Sequence, residues 1–246
     1  MFKKLANVFK PSSSSKKIFH FVDLHSHLLP GIDDGVKDFD ESIEILKNLQ
    51  ELGFTKIITT PHIMHHRFRN TQENILKVYW QLQSKMREHN LRMEVDVAAE
   101  YYYDEHFLEL IEKRELMTFT EENYILFELS YTIKPIALEQ AVSKLLSAGY
   151  RPILAHPERY TYYRSLEDYM RVKDMGLLFQ LNLISLDGFY GKSVKKHAEQ
   201  LVNAGLIDFI GSDIHSQKYV DSFSRVLQSS VYRECLKVNK IRNNKL

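Results

Sequence analysis

Cysteine, net charge and long apolar runs are all scarce in this chain of 246 residues. Cys235 is the one cysteine, so no intrachain disulfide can form and a thiolate zinc site has no donors. Any metal chemistry must use imidazole and carboxylate. Lysine and arginine number 33 against 32 acidic residues, a formal net charge of +1. That balance argues against nucleic acid as the main partner, because phosphate-backbone binding needs a cationic surplus. No stretch is apolar over the ~20 residues that a transmembrane helix needs, so no membrane-spanning segment is expected. No glycine-rich fingerprint follows any predicted strand, which weakens a dinucleotide-binding reading. With a lone thiol and no secretory signal, a cytoplasmic protein is expected. Against these absences stand eleven histidines.

Residues 1–17 read as a basic flexible extension. Its lysines meet no acid before Asp23, and Pro11 with Ser12 to Ser15 reads as a linker. Phe2, Leu5, Val8 and Phe9 offer a weak contact with anionic lipid, and a solvated tail is the plainer alternative. Residues 18–246 are expected to form one domain. Strands are predicted at Phe19–His25, Lys56–Thr60, Met93–Tyr101, Tyr124–Leu129, Arg151–Ala155, Leu177–Leu181 and Ile207–Gly211. Between them lie amphipathic helices at Asp38–Leu52, Thr71–His89, Asp104–Glu112, Pro135–Ala148, Ser165–Met175 and Lys192–Ala204, with a last one from about Tyr219. Leu146-Ser-Ala-Gly149 and Val202-Asn-Ala-Gly205 repeat one ending, an apolar helix stopped by glycine before a strand. This alternation implies an α/β fold with a parallel sheet, and a closed or nearly closed barrel is the economical form at this length. A doubly wound open sheet is the runner-up.

In either architecture the site forms where strands end. The ends read Asp23-Leu-His25-Ser-His27, Thr60-Pro-His62, Ala99-Glu100, Phe127-Glu128, Ala155-His156-Pro-Glu158-Arg159, Leu181-Asn182 and Ser212-Asp213-Ile-His215. One histidine after a strand is more often packed than ligating. A glutamate inside an apolar run such as Tyr124–Leu129 is expensive unless paired or metal-bound. Residues two apart on an extended segment share a side, so His25 and His27 can reach one ion, and Asp23 could orient a ligand histidine. Asp213 and His215 repeat the device, and Asp33-Asp34-Gly35 adds a carboxylate. So many nitrogen and oxygen donors exceed one ion and suit two or three divalent metals, with manganese, iron, magnesium and zinc all open. Such clusters favour in-line displacement at phosphorus.

The blocks His25-x-His27-Leu-Leu-Pro30-Gly31-x-Asp33-Asp34-Gly35, Thr60-Pro-His62, His156-Pro-Glu-Arg159 and Ser212-Asp213-x-His215 resemble the polymerase-and-histidinol-phosphatase (PHP) superfamily. Within it they are similar to the bacterial capsular-polysaccharide tyrosine-protein phosphatases, over roughly residues 20 to 216. The resemblance implies a distorted TIM-like barrel of seven β/α units and a trinuclear, usually manganese-dependent site. It implies removal of phosphate from tyrosines in the tail of an autokinase controlling polysaccharide export. It makes His25, His27, Asp34, His62, Glu100, Glu128, His156, Asp213 and His215 the metal ligands, selecting Asp34 over Asp33. Arg159 matches the family's phosphate-binding arginine. A second such arginine often follows the final Asp-x-His. Here Ser216-Gln-Lys218-Tyr219 stands in that place, and Lys218 is the substitute by position.

On this reading a metal-bridging hydroxide attacks phosphorus, and Arg159, His156 and Asp213 are expected to carry the reaction. In the rim segment His65-His-Arg67-Phe-Arg69, Arg67 and Arg69 either contact substrate or belong to a solvated basic loop. Two of Tyr101, Tyr102 and Tyr103 are expected to cover the barrel mouth, and His20, His89, His106 and His197 to be structural. A cysteine-nucleophile phosphatase is excluded, because Cys235 lacks the arginine six residues on; Ile241 stands there. Three alternatives remain: a phosphatase of a small ester such as histidinol phosphate, a metal-dependent amide hydrolase, and a non-catalytic phosphotyrosine-binding regulator.

Overall fold

The computed structural model describes residues 21–246; the predicted extension over 1–17 and the start of the first predicted strand lie outside the described residues. The strands are β1 (Phe21–Asp23), β2 (Phe54–Thr59), β3 (His62–Ile63), β4 (Glu94–Val97), β5 (Glu100–Tyr102), β6 (Tyr124–Glu128), β7 (Arg151–Ala155), β8 (Leu178–Asn182) and β9 (Phe209–Gly211). The helices are α1 (Phe39–Glu51), α2 (Gln72–Glu88), α3 (Glu105–Lys113), α4 (Leu138–Ser147), α5 (Leu166–Asp174), α6 (Lys192–Asn203), α7 (Gln217–Gln228) and α8 (Ser230–Val238). Every strand pair is parallel, in the orders β1-β2-β4 and β3-β5-β6-β7-β8-β9.

The strand predicted over Met93–Tyr101 is interrupted, and the one predicted over Lys56–Thr60 is followed by a short further strand. Pro61 has no N–H and separates β2 from β3, while Ala98-Ala99 separates β4 from β5. Backbone bonds carry on across both breaks, Ala98 N–H donating to Thr59 O (3.0 Å) and Glu100 N–H to Pro61 O (3.1 Å). The strand segments therefore follow one another as seven positions of a distorted barrel. β9 meets β1 at a single parallel bridge, Ser26–Ile214. There Asp213 N–H donates to His25 O (2.8 Å) and His27 N–H to Ile214 O (2.9 Å).

The helix ends follow the sequence with two differences. Asp38, Asp104 and Ser165 cap α1, α3 and α5 with side-chain oxygens, as their short polar groups favour. The predicted start of α4 at Pro135 moves to Leu138, because Ala137 takes a left-handed conformation and leaves Pro135 in a loop. The predicted last helix is two helices, broken at Ser229, whose hydroxyl accepts the Tyr232 N–H.

The core has two parts. Leu24, Ile58, Ala98, Tyr124, Leu126, Ile153, Ala155 and Phe209 come from strands or strand ends around the ring and fill its interior. A larger cluster, including Ile45, Leu49, Leu82, Val142, Leu201 and Phe223, packs the helices against the strands. The interior cluster is a floor, above which the strand ends carry polar groups.

Two side chains hold the β1–β9 seam. Asp23 accepts from Ser212 N–H (2.8 Å) and Ser212 Oγ (2.5 Å). Below it, Asn243 donates to Val22 O (2.8 Å) and Ile210 O (2.7 Å) and accepts the Ile210 N–H (3.0 Å). Asn243→Ala removes these bonds in a buried place, at a cost of about 2–3 kcal/mol. Urea unfolding should then show a lower midpoint with unchanged slope; a change under ~0.5 kcal/mol would remove Asn243 from the seam's supports.

Candidate metal centre

The strand register delivers the donors. Parallel pairing sets His62 of β3 opposite Glu100 of β5, and Glu128 ends the adjacent β6. His156 and Asp213, just past β7 and β9, both have positive φ, 34° and 52°. Neither is glycine, and such backbone costs about 1–3 kcal/mol each where surroundings enforce it. The turn aims both side chains back over the ring. Gly35 lets the following loop fold over the first strand's end: a Cβ there would stand 2.2 Å from His27 O. Gly211 serves β9 likewise, since a Cβ would meet His25 Cβ at 2.8 Å.

All nine residues singled out as ligands converge here. They fall into four overlapping groups: His27, Asp34, His62 and His215; His25, His27 and Glu100; His25, His156 and Asp213; and His62, Glu100 and Glu128. Within each group the donor atoms lie within 4.8 Å of one another. Asp34 and His215 form the open side, while His25, His27 and Glu100 have no exposed surface.

Glu100 Oε2 tests whether these residues fit a metal. It is buried and has no hydrogen-bond partner. Yet His25 Nε2 lies 3.2 Å away, His27 Nε2 3.4 Å and His62 Nδ1 3.2 Å. Donors sharing one cation at ~2.1 Å each stand about 3.0–3.4 Å apart. His25 Nε2 and His27 Nε2 face each other at 3.3 Å, and each is 3.4 Å from Asp213 Oδ1. The donor set fits a cluster of divalent ions with oxygen and imidazole ligands.

The rings are oriented from behind. His25 Nδ1 donates to Gln180 Oε1 (2.8 Å), His27 Nδ1 to Asp33 Oδ2 (2.8 Å) and His215 Nδ1 to Asp213 O (2.8 Å). Each bond leaves Nε2 turned to the centre. Asp33 also accepts from His62 N–H (3.0 Å) and Gly35 N–H (2.9 Å). The adjacent aspartates thus separate: Asp33 orients and Asp34 faces the donors. Asp23 differs from its expected part, because it touches no imidazole ring and binds Ser212 instead; Gln180 orients His25. Gln180 escapes a reading confined to strand ends, since it lies within β8, and its Nε2 continues to Asn182 Oδ1 (2.9 Å).

Charge matches this picture. Burial disfavours protonated His25 and His27, but Glu100 and Asp213 around the first, and Asp33 beside the second, hold both above the ordinary imidazole value. Burial pushes His62 and His156 down to about 4, aided at His156 by the Arg159 charge. Burial and then the Glu100 charge hold the Glu128 carboxyl well above its usual range.

A cavity of about 540 Å³ opens over the centre, walled by Arg159, Tyr131, Arg67, Phe68, Lys37 and Tyr219 among others. Arg159 Nη1 donates to Asp213 Oδ2 (2.9 Å). Arg67 lies in the wall, its Nη2 3.5 Å from Asp34 Oδ2. Arg69 does not line the cavity; its Nε donates to His65 O (2.9 Å). Lys218 does not line it either, because the start of α7 sets its ammonium over the Phe189 ring (5.2 Å) and turns Tyr219 inward. The third basic side chain in the wall, beside Arg159 and Arg67, is Lys37, which carries no motif in the sequence. Tyr101 is core, Tyr102 meets His66 edge-on and Tyr103 donates to Ile136 O; none walls the cavity. Of the histidines expected to be structural, His106 faces His65 (5.5 Å between centroids), and His20 lies outside the described residues. Cys235 is fully buried on α8, where burial pushes its thiol up to about 12. It is neither exposed nor ionised enough to be a nucleophile.

The sequence over residues 21–225 matches the family described as "Capsular polysaccharide synthesis, CpsB/CapC". The CapC protein of Staphylococcus aureus is 32% identical over 196 residues, 79% of this chain and 77% of its own. The tyrosine-protein phosphatase CpsB of Streptococcus pneumoniae is 30% identical over 201 residues, 79% of this chain and 83% of its own. Among solved structures, one described with YwqE from Bacillus subtilis and CpsB from S. pneumoniae, "unique metal-dependent tyrosine phosphatases", superposes with a TM-score of 0.77. It is 28% identical and covers 90% of this chain and 96% of its own. An amidohydrolase from Mycoplasma synoviae, at 14% identity and TM-score 0.54, shares the fold alone.

Two measurements check the centre. Asp33→Ala should weaken binding of a divalent metal about 10–100-fold in a competition titration, since His27 loses its orienting carboxylate; unchanged affinity would reassign Asp33. The raised pKa values mean that, without metal, His25 and His27 hold protons to higher pH than an ordinary imidazole does. Metal must displace those protons, so affinity falls as pH falls. Calorimetry in buffers of different ionisation enthalpy should find protons released on metal binding near neutrality, and no release would contradict the assignment.

Proposed function

The chain belongs to the CpsB/CapC family of capsular polysaccharide synthesis, and from that premise we propose that it hydrolyses phosphotyrosine on a bacterial tyrosine kinase controlling capsular or exopolysaccharide synthesis. The activity is metal-dependent tyrosine-phosphate hydrolysis. The nine clustered side chains are its ligands, and two or three divalent ions, manganese foremost by the family resemblance, are its metals; overlapping oxygen and imidazole donor groups without thiolate suit such a cluster. Residues 18–246 act as one catalytic domain in the cytoplasm, with 1–17 as a basic extension. Among the described residues no helix is long and apolar enough to cross a membrane.

One observation carries the reading. Arg159, the fork best suited to phosphoryl oxygens, stands over Asp213 at the edge of the donor cluster and inside its cavity. A bound metal cluster supplies a water nucleophilic at neutral pH and Lewis-acid contacts to phosphoryl oxygens. The chain's own residues do the rest. Arg159 takes charge from the transferring group, and Lys37 and Arg67 in the wall draw in the dianion. Arg67, not Arg69 or Lys218, is the rim cation of the three named from sequence that reaches the cavity. Phe68, packed parallel to His62 (5.5 Å, 6°), and Tyr219, stacked on His215 (5.4 Å), offer ring faces to a phenyl group. Tyrosinate leaves with a pKa near 10, so little acid assistance is needed.

Metal-replete protein should release phosphate from a phosphotyrosyl peptide with kcat/KM about 100-fold above that for histidinol phosphate. A chelator should abolish turnover, His156→Ala or Arg159→Ala should lower kcat/KM by about 10²–10³, and Cys235→Ala should leave kcat unchanged. Preference for histidinol phosphate would make it a small-ester phosphatase. Peptide binding without phosphate release would make it a regulator.

A further inference from the structure

Arg159 is held by two tyrosines in one pattern. Its guanidinium lies 4.5 Å from the ring centroid of Tyr131 and 4.2 Å from that of Tyr190. The Tyr131 hydroxyl donates to Glu128 Oε2 (3.1 Å), and the Tyr190 hydroxyl donates to Asp213 Oδ2 (3.1 Å). Each tyrosine therefore has its ring on the cation and its hydroxyl on a carboxylate of the donor cluster. Asp213 Oδ2 also receives Arg159 Nη1 and Asn182 Nδ2 (2.6 Å), which leaves Oδ1 as the oxygen facing His25 and His27.

We propose that Tyr131 and Tyr190 are positioning residues that clamp Arg159 and fix its register against the metal ligands. The rings restrict where the guanidinium stands, so less side-chain freedom is lost when it meets a phosphoryl group. The hydroxyls choose which oxygen of Glu128 and of Asp213 turns to the centre. The two parts of each side chain thus serve different ligands: the ring serves phosphate and the hydroxyl serves metal. Neither tyrosine need contact the reacting atoms.

The inference rests on the phosphatase reading, and the test separates the two. Full-length protein is compared with Tyr131→Phe, Tyr190→Phe and Tyr131→Leu. Mn²⁺ affinity is read by competition with a fluorescent chelator, and phosphate binding by the inhibition constant of inorganic phosphate at saturating Mn²⁺. The phenylalanine variants keep the ring. They should bind Mn²⁺ about tenfold more weakly and keep the phosphate inhibition constant within about twofold. Tyr131 is 38% exposed, so leucine there leaves the core packed; it should raise both the inhibition constant and the KM for phosphotyrosyl peptide about tenfold. Unaltered Mn²⁺ affinity in both phenylalanine variants, or a wild-type phosphate constant in Tyr131→Leu, overturns the clamp. Unmutated protein that hydrolyses no phosphotyrosyl peptide overturns the phosphatase reading instead, while the Mn²⁺ arm still decides the hydroxyls' part.

Discussion

Glu100 sits without solvent among three imidazole nitrogens, none of which meets its Oε2 in a hydrogen bond. Burying a carboxylate this way is among the costliest things a fold can do unless a cation shares the space. Around it stand three more carboxylates and five imidazoles of the candidate centre. The surrounding carboxylates raise the pKa of His25 and His27, so protons there offset part of that charge as pH falls. With metal, the same atoms become a ready-made coordination shell. The need to hold these groups together, and to compensate them, shapes much of the surrounding structure.

The barrel answers the first need. Six of the seven strand positions deliver one or two donors, β8 supplying none and Asp34 coming from a loop, over an apolar floor. The seam between first and last strands is the weak place, because His25 and His27 lie on one side and Asp213 and His215 on the other. It is crossed by backbone bonds and fixed by Asp23 and Asn243. Close glycines at 35 and 211 let backbone approach the ligands where any side chain would collide. The supporting bonds from Gln180 and Asp33 and the tyrosines beside Arg159 then set angles within the cluster.

Eight of the nine candidate ligands were legible because they are local in sequence, at the ends of predicted strands, and the His-x-His and Asp-x-His spacings are visible without a structure; Asp34 came from the family resemblance. The choice between Asp33 and Asp34 became geometric only when the loop was seen folding over His27. Lys218 misled because two neighbouring positions at the start of α7 point to different environments. Its partner Tyr219 reaches the cavity and the lysine does not. Gln180, Tyr131, Tyr190 and Lys37 carried no signal of their own, since their parts depend on contacts between segments far apart in the chain. The short strand after Pro61 and the divided last helix escaped for a related reason: β3 and the break at Ser229 rest on hydrogen bonds that only the assembled sheet and helix pair define.

Chemistry follows from what the mouth presents. A cluster of hard donors, an arginine fixed over it and aromatic faces at its rim suit an aryl phosphate better than an amide, and the lone thiol is buried elsewhere. Anomalous scattering from crystals of metal-loaded protein, collected at the absorption edge of the bound ion, tests this centre most directly. The account predicts a compact group of peaks among the nine donors, with Glu100 touching more than one. Peaks outside these residues, or a loaded, active enzyme with none beside Glu100, would contradict it.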